Sequence, residues 1–439
     1  MSSITIGYIL ILALLVLVLL GMRIAIALMT VAFVGVWIIR DNFNLALKLM
    51  SIATYNGVAN YLFATIPLFV LMGQLVSISN VGKDTFDVAE SMLRRLRGGL
   101  GVATVAANTI FAAVTGVSIA SAAVFTKVAV PEMRHHGYRP AFATGIVAGS
   151  SVLGMLIPPS LLLIVYGVLA EVSIGQMFIA GLVPGAILAL GFVALILGMA
   201  KFAPNIAFDL DKKQNKKHKH DQHIMGTGEV IRKITPILLL VVFVIGGLYS
   251  GYFTPTEAGG VGAFAAFVIA VFRRSLNGNK LWQVLTETGV VSVGILILLV
   301  AANFYGQMLA VAGIPTAIGD IVRHSGLGST GFLVLYIVIV LAMGMILDST
   351  SILLIIVPIA APIAQALGFD LVNFGIITVI AVEVGLLTPP FGISIFTVHA
   401  TLADRSVKLE SIFLGALPFV GVMLAVIVLL SVFPQLIIK

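Results

Sequence analysis

A pair of matching proline breaks within apolar segments constrains this chain more than any other feature of its sequence. Gly154-Met-Leu-Ile-Pro-Pro159 recurs 231 residues later as Gly385-Leu-Leu-Thr-Pro-Pro390. Proline has no amide hydrogen and its ring clashes with the preceding turn, so two consecutive prolines interrupt a helix. Inside a bilayer, the backbone groups freed by such a break need partners within the protein. Two matched interruptions, one in each half, are typical of the binding region of a secondary transporter.

Composition predicts an all-α polytopic membrane protein embedded in a lipid bilayer. Of the 439 residues, 60% are hydrophobic and 10% are charged, whereas soluble domains contain about 45–50% and 25%. Membrane barrels need many short alternating segments, which do not dominate here. The net charge of +7 comes from short basic clusters between apolar segments, a pattern that follows the positive-inside rule and predicts no nucleic-acid partner. Cysteine is absent, which excludes a disulfide framework and thiol chemistry.

The apolar segments predict ten membrane crossings, because about 20 apolar residues span a bilayer. The crossings lie at 5–20, 24–39, 60–79, 141–170, 176–200, 234–250, 256–272, 286–311, 373–401 and 411–436. The first of them has no basic flank before it, so we expect a span and not a cleaved signal peptide.

Two further apolar stretches predict re-entrant helical hairpins. They cover 99–131 and 329–366, and they are interrupted near 115–121 and 348–351. Ten crossings and two hairpins place all six basic clusters on the cytoplasmic side. Both termini are then predicted to lie outside the cytoplasm.

The two halves predict inverted five-span repeats. The same 231-residue offset aligns Ser118 with Ser349 and Pro131 with Pro362. Five crossings per half is an odd number, so the second copy is upside down relative to the first. Chance similarity between apolar segments is the alternative explanation.

The repeats divide the chain into five predicted regions. The first and fourth are scaffold segments, the second and fifth are transport-domain repeats with a hairpin and a broken helix (at 157–159 and 388–390), and the third is a cytoplasmic linker that joins the halves. The first scaffold segment, with an interfacial arm, covers 1–98, and the first repeat covers 99–200. The linker covers 201–233, the second scaffold segment 234–328 and the second repeat 329–439. The Lys- and His-rich run 211–223 in the linker is either solvated or metal-binding.

Asp348 is a carboxylate at predicted membrane depth, where insertion costs about 2.5–3.5 kcal/mol. It lies at the predicted tip of the second hairpin with no Lys or Arg nearby in sequence. Its partner is either a bound cation or the N-terminus of the returning half-helix, which a carboxylate caps well. Glu383, two residues before Gly385, is either a second functional carboxylate or a structural one facing a crevice or helix.

The hairpin tips and the breaks predict two related Na⁺ sites. Hard cations prefer oxygen ligands, and unwound backbone at broken helices supplies carbonyl oxygens. For each single hydroxyl, a hydrogen bond to its own helix is the alternative role. The predicted ligands of the first site are Thr115, Gly116, Ser118, Ser151, Gly154 and Pro158, and those of the second are Asp348, Ser349, Ser351, Gly385 and Thr388. Substrate anionic groups are expected at half-helix N-termini, near Pro159, Ser160, Thr350 and Pro390.

Motifs for catalysis are missing from the sequence. It contains no HExxH, no GxSxG and no phosphate-binding glycine loop. We therefore predict a protein that is not an enzyme and that draws on an ion gradient, since the sequence also lacks an ATP-binding domain.

These motifs resemble the large membrane subunit of TRAP (tripartite ATP-independent periplasmic) transporters over nearly the whole chain. The segments that carry the resemblance are Thr115-Gly-Val-Ser-Ile-Ala120, Pro131-Glu-Met133, Gly137-Tyr138, Gly154-Met-Leu-Ile-Pro-Pro-Ser160, Ala180-Gly-Leu-Val-Pro-Gly185, Phe253-Thr-Pro-Thr-Glu-Ala258, 344–348 and Glu383-Val-Gly-Leu-Leu-Thr-Pro-Pro390.

The resemblance implies an elevator-type ion-transporter fold in the bacterial inner membrane, with periplasmic termini. It implies two partners, a periplasmic substrate-binding protein and a small four-helix membrane subunit, here expected as a separate chain. It also implies sodium-coupled import of a small organic acid anion, such as a C4-dicarboxylate or sialic acid. A stand-alone organic-anion carrier and an ion channel are the alternative functions.

Overall fold

The protein is all-helical in a computed structural model that describes residues 2–93, 95–209, 225–326, 328–402, 404 and 406–438. Within these ranges no strand is present, and the only β-type pairing is an isolated bridge between Tyr138 and Phe208. The predicted linker run 211–223 lies outside the described residues.

The first half contains twelve described α-helices and a 3-10 turn (Tyr61–Ala64) that leads into the fourth. In chain order they are α1 Ser3–Leu19, α2 Ile24–Arg40, α3 Phe43–Ala59, α4 Thr65–Ile78, α5 Val81–Leu93, α6 Gly99–Thr115, α7 Ser118–His135, α8 Pro140–Ser151, α9 Leu153–Leu156, α10 Leu161–Leu169, α11 Ile174–Phe202 and α12 Pro204–Ala207.

The second half contains nine described α-helices and ends in a 3-10 turn (Pro434–Leu436). They are α13 Thr227–Tyr249, α14 Pro255–Phe272, α15 Gly278–Ala312, α16 Ile314–His324, α17 Gly328–Gly344, α18 Ser349–Ala366, α19 Leu371–Leu386, α20 Ile393–Thr401 and α21 Leu409–Val432.

Helix starts follow from local sequence. Thr254 and Glu257 form a capping box at the start of α14, with Pro255 in the first turn, where a missing amide hydrogen costs nothing. Asn277 caps α15 through a hydrogen bond from the Lys280 backbone N–H at 2.8 Å.

Seven described helices are long and apolar enough to cross a membrane, or eight if the bent pair α8–α9 with α10 counts as one span. Six of the seven coincide with predicted crossings, and the seventh is α18, the predicted return arm of the second hairpin. The first two predicted crossings are apolar helices of 17 residues each. The crossing predicted at 373–401 is divided into α19 and α20. The protein is therefore multi-pass, while the count of ten crossings stays a prediction.

The order and spacing of helices in the first half recur in the second. Adding 231 to the bounds of α7 gives those of α18, and adding it to the starts of α2 and α8 gives the starts of α14 and α19. The long helix α15 covers the positions that correspond to both α3 and α4.

Helices of the two halves pack across each other in matched pairs. The predicted return arm α7 contacts α20, and the corresponding predicted arm α18 contacts α10. Likewise α8 packs on α21 and α19 packs on α11, while α11 and α21 contact each other. The core around the breaks is therefore built from both halves together.

Charged side chains join α5 to the scaffold helices. The buried face of α5 packs against α6. Its Asp84 pairs with Arg273, and its Asp87 accepts a hydrogen bond from the Lys233 ammonium at 2.9 Å. These ion pairs connect α5 to α13 and α14 at the chain's predicted cytoplasmic side.

Another ion pair joins α7 to the connection after α20. The Arg134 guanidinium hydrogen-bonds Asp404 and thereby holds the pKa of that carboxyl well below its usual range.

Candidate functional site

The connection between α6 and α7, together with the first residue of α7 (residues 116–118), is called tip 1 and lies against the first proline break. The Gly116 carbonyl accepts a hydrogen bond from the Leu161 backbone N–H at 3.2 Å, just after the break. A β-carbon added at Gly154 would lie 3.2 Å from the Val117 carbonyl carbon and oxygen. The predicted proximity of tip and break is therefore present in the first half.

Glycine is needed at position 116 for two reasons. Its φ of +63° lies in the left-handed region, which residues with a side chain adopt only at a cost. A β-carbon there would also lie 2.5 Å from the Pro159 carbonyl oxygen. The backbone at tip 1 approaches the break too closely for any side chain.

The half-helix α10 begins directly after the first break. The Ser160 side chain caps it by accepting from the Leu163 N–H at 3.3 Å, and its hydroxyl donates to the Met155 carbonyl. Pro158 and Pro159 are joined by a cis peptide bond and are buried. Ser160, a predicted substrate contact, thus has a local structural role in this arrangement.

A buried polar network stabilises the base of tip 1. The Ser121 hydroxyl donates to the Asn108 amide oxygen, the Asn108 amide nitrogen donates to the Ser150 hydroxyl at 2.6 Å, and Ser150 donates to the Ile146 carbonyl. All three polar residues are fully buried. Asn108 is missing from the predicted site, although an amide inside the apolar segment 99–115 is a recognisable signal.

We expect Asn108→Ala to destabilise the protein by about 1–3 kcal/mol, because it leaves the Ser121 and Ser150 hydroxyls without their amide partner. The measurement is thermal unfolding of the detergent-solubilised chain. Thr109→Ala is the control, because the Thr109 hydroxyl only donates to its own helix, at the Val105 carbonyl. Equal stability of the two variants would contradict the network's importance.

Three predicted ligand hydroxyls donate to backbone carbonyls three or four residues earlier in the chain. Thr115 donates to Phe111 at 3.0 Å, Ser151 to Ala148 at 2.8 Å and Thr388 to Val384 at 2.7 Å. A hydroxyl that donates in this way still offers its lone pairs to a cation.

Asp348 caps the N-terminus of α18. The connection between α17 and α18, residues 345–348, is called tip 2, and Asp348 is its last residue. The carboxylate accepts from the Ser351 backbone N–H at 3.1 Å and from the Ser351 hydroxyl. The capping role is present, and a carboxylate has free lone pairs for a cation as well.

Tip 2 is more open than tip 1. Gly344 lies against Gly385, where a β-carbon on either residue would come within 2.6 Å of the other's α-carbon, so the base of tip 2 contacts α19. Ser349 and Ser351 are buried, and Thr350 is partly buried. Pro389, Pro390 and Phe391 are exposed, Phe391 by 56%, whereas residues 151–160 at the first break are all buried.

Ser118 and Glu383 are neighbours although they come from different halves. Ser118 is fully buried and Glu383 is 1% exposed. Apart from their contact with each other, the Ser118 hydroxyl and the two Glu383 carboxylate oxygens have no hydrogen-bond partner among the residues that the structure describes. The sequence left the role of Glu383 open, and the structure places its carboxylate beside tip 1 and not in an open crevice.

Comparison with known proteins identifies the family to which this multi-pass helical chain belongs. Residues 11–436 match the family model described as "Tripartite ATP-independent periplasmic transporter, DctM component". The chain is similar to the C4-dicarboxylate TRAP transporter large permease protein DctM of Pseudomonas aeruginosa, with 32% identity over 89% of this chain and 88% of that protein. It is also similar to the sialic acid TRAP transporter large permease protein SiaM of Vibrio cholerae, with 28% identity over 86% of each.

A solved structure shares the fold at low sequence identity. The Neisseria gonorrhoeae protein MtrF superimposes with a TM-score of 0.59 and 14% identity, covering 99% of this chain and 95% of that one. The family match covers nearly the entire sequence, and the chain belongs to the DctM component family of tripartite ATP-independent periplasmic transporters.

Proposed function

We propose that the chain is the large transmembrane subunit of a sodium-coupled secondary transporter in the bacterial inner membrane. It imports a small organic acid anion, a C4-dicarboxylate or a sialic-acid-like solute, delivered by a periplasmic binding protein. A separate small membrane subunit completes the complex. The relatives' named solutes and the tripartite family support this assignment.

One observation carries the proposal: two tip-and-break units, 231 residues apart, whose arms pack across each other. Each unit has a two-helix arm pair, a cis Pro-Pro break and a half-helix that contacts the opposite arm. Inverted repeats with broken helices meeting near the bilayer centre are the architecture of ion-coupled carriers. Channels more often use symmetric rings of subunits around one axis, so this arrangement favours a carrier.

In the proposed elevator mechanism the tip-and-break units move together against a scaffold. The scaffold helix α4 contacts α6, and the scaffold helix α15 contacts α18. Beside these contacts, α15, α10 and α18 line a crevice of about 390 Å³, whose polar lining residues include Asn303, Gln307, Gln365 and Glu171. A polar crevice between two bodies favours sliding more than a tightly packed apolar interface does.

At tip 1 the scaffold touches the proposed moving body through a glycine. A β-carbon at Gly73, in α4, would lie 2.9 Å from the Thr115 carbonyl oxygen and 3.3 Å from the Thr115 α-carbon. This close approach exists in the arrangement described here, and a side chain at position 73 would oppose it.

We expect Gly73→Val to disfavour this arrangement and to lower uptake by at least about tenfold, which corresponds to about 1.4 kcal/mol. Because the sequence has no cysteine, a cysteine pair at Val70 and Val114, which line the space beside the contact, reports on the arrangement by cross-linking. Gly198→Ala is the control, since no atom lies within 4 Å of its added β-carbon. Unchanged cross-linking in Gly73→Val would argue against the sliding contact.

Reconstitution tests the proposed function. The chain, its small membrane subunit and its binding protein are placed in proteoliposomes at fixed membrane potential, with radiolabelled succinate or sialic acid as the solute. The expected result is uptake that requires both the binding protein and an inward Na⁺ gradient. Uptake that does not depend on the Na⁺ gradient rejects sodium coupling. Uptake without the binding protein indicates a stand-alone carrier, and single-channel currents indicate a channel.

A further inference from the structure

We propose that the Glu383 carboxylate, supplied by the second half of the chain, is the anionic ligand of a cation site at tip 1 that Ser118 completes. This inference rests on the proposed function, because the cation is the coupling Na⁺. It adds a ligand that neither the paired motifs nor the repeat predicts.

Burial and isolation are the first argument. Glu383 is 1% exposed, and within the described ranges its carboxylate oxygens and the neighbouring Ser118 hydroxyl have no polar partner other than each other. Buried polar groups in native proteins are nearly always satisfied, and a buried carboxylate requires a proton, a cationic side chain or a bound ion. Two unsatisfied oxygen-bearing groups from different halves therefore face the same point.

No cationic side chain is placed to serve as the partner. The helices with several contacts to α19 are α9, α10, α11, α17, α18, α20 and α21, and α7 adjoins Glu383 through Ser118. Among the described residues of the first seven, the charged or titratable side chains are Lys201 at the last turn of α11, His399 at the last turn of α20, Glu410 in the first turn of α21, and Tyr166 and Tyr336. Those of α7 lie nine or more residues beyond Ser118: Lys127, Glu132, Arg134 and His135. Tyr166 donates to the Leu371 carbonyl and Tyr336 bonds Thr378. With no cationic side chain nearby among the described residues, a proton and a bound cation remain as possible partners of the carboxylate, and the proposal assigns the cation.

The repeat offset supplies a second argument. The position that corresponds to Asp348 in the first half is Val117, so tip 1 has no carboxylate of its own. The position that corresponds to Glu383 is Val152. With Glu383 as proposed, each tip has one carboxylate, which tip 2 takes from its own connection and tip 1 takes from the opposite half. Each of the two proposed Na⁺ sites contains a carboxylate only if Glu383 belongs to the first.

Local packing allows the carboxylate to reach the tip. The short helix α9 contacts α6, α7 and α19, so it lies between tip 1 and the helix that carries Glu383. Gly154 in α9 has no side chain and lies against Val117 and the Ser118 backbone nitrogen. A cation bound by both Ser118 and Glu383 would connect tip 1 to the second half, so both repeats would contribute ligands to the same ion.

The test measures ion binding without transport. The purified full chain is titrated with NaCl against choline chloride at constant ionic strength, and thermal stability and hydrogen exchange at the two tips are recorded. We expect Glu383→Gln, which keeps the size and removes the charge, to raise the Na⁺ concentration for half-maximal stabilisation by at least about tenfold. Na⁺-dependent protection should disappear at tip 1 and persist at tip 2.

Controls separate the possible outcomes. Glu410→Gln removes an exposed carboxylate and should titrate like the unmodified chain. Ser118→Ala removes one oxygen without changing the charge, and it should weaken protection at tip 1 even if Glu383→Gln folds poorly. A Na⁺ response at tip 1 that survives both substitutions overturns the inference while leaving sodium coupling intact. An unmodified chain that shows no Na⁺ response at either tip contradicts the proposed sodium coupling itself.

Discussion

Gly116→Ala is expected to reduce solute uptake by more than about tenfold, a loss that corresponds to about 1.4 kcal/mol. The left-handed conformation at φ +63° costs an alanine about 1 kcal/mol or more. In addition, the β-carbon would lie 2.5 Å from the Pro159 carbonyl oxygen, so tip 1 and the first break must separate. The hydrogen bond from Leu161 to the Gly116 carbonyl would then lengthen. The measurement is uptake in proteoliposomes with the partner proteins present.

The matched control for this substitution is Gly137→Ala. Gly137 has a similar φ of +81°, but the nearest atom to its added β-carbon is 3.9 Å away, so only the conformational cost applies. Uptake by Gly137→Ala should exceed that of Gly116→Ala severalfold when both variants are present in equal amounts. Equal activity would show that contact between tip 1 and the first break has no part in transport.

The sequence predicted the features that depend on local chemistry. Consecutive prolines interrupt a helix wherever they occur, and both breaks are present at Pro158–Pro159 and Pro389–Pro390. The interruptions at Thr115–Ser121 and Asp348–Ser351 likewise separate paired helices, because glycine and N-capping residues end and begin helices there. The family assignment is confirmed by the match over residues 11–436.

Contacts between distant parts of the chain could not be predicted from the sequence. Whether Glu383 faces solvent, lipid or another helix depends on how α19 rotates against seven neighbouring helices, and hydropathy does not fix that rotation. The role of Asn108 was equally unpredictable, because the hydroxyls that it hydrogen-bonds are 13 and 42 residues away in sequence. The 231-residue offset alone also suggested two equivalent breaks, whereas Phe391 is exposed and its counterpart Ser160 is fully buried.

The crossing predicted at 373–401 shows a further limit of hydropathy. The segment is apolar over its whole length, yet the structure divides it between Leu386 and Ile393. Hydropathy measures transfer into lipid and does not detect unpaired backbone. The proline pair was the sign that this segment is not one continuous helix.

Asp348→Asn is expected to weaken the sodium dependence of uptake by about 10–100-fold in apparent affinity. Asparagine caps a helix about as well as aspartate, so the hydrogen bond from the Ser351 N–H persists and α18 still starts at Ser349. The substitution therefore removes the charge and leaves the cap. Uptake is measured across a range of Na⁺ concentrations at constant ionic strength and membrane potential.

Two further variants separate charge from capping at tip 2. Asp348→Ala removes both and should also lower thermal stability, by about 0.5–2 kcal/mol. Asp370→Asn makes the same chemical change at the cap of α19, where the carboxylate accepts from the Val372 and Asn373 N–H groups, and it should leave sodium dependence unaltered. If Asp348→Asn and Asp370→Asn give the same sodium dependence, Asp348 acts only as a cap. Tip 2 would then bind Na⁺ through backbone and hydroxyl oxygens, without a carboxylate.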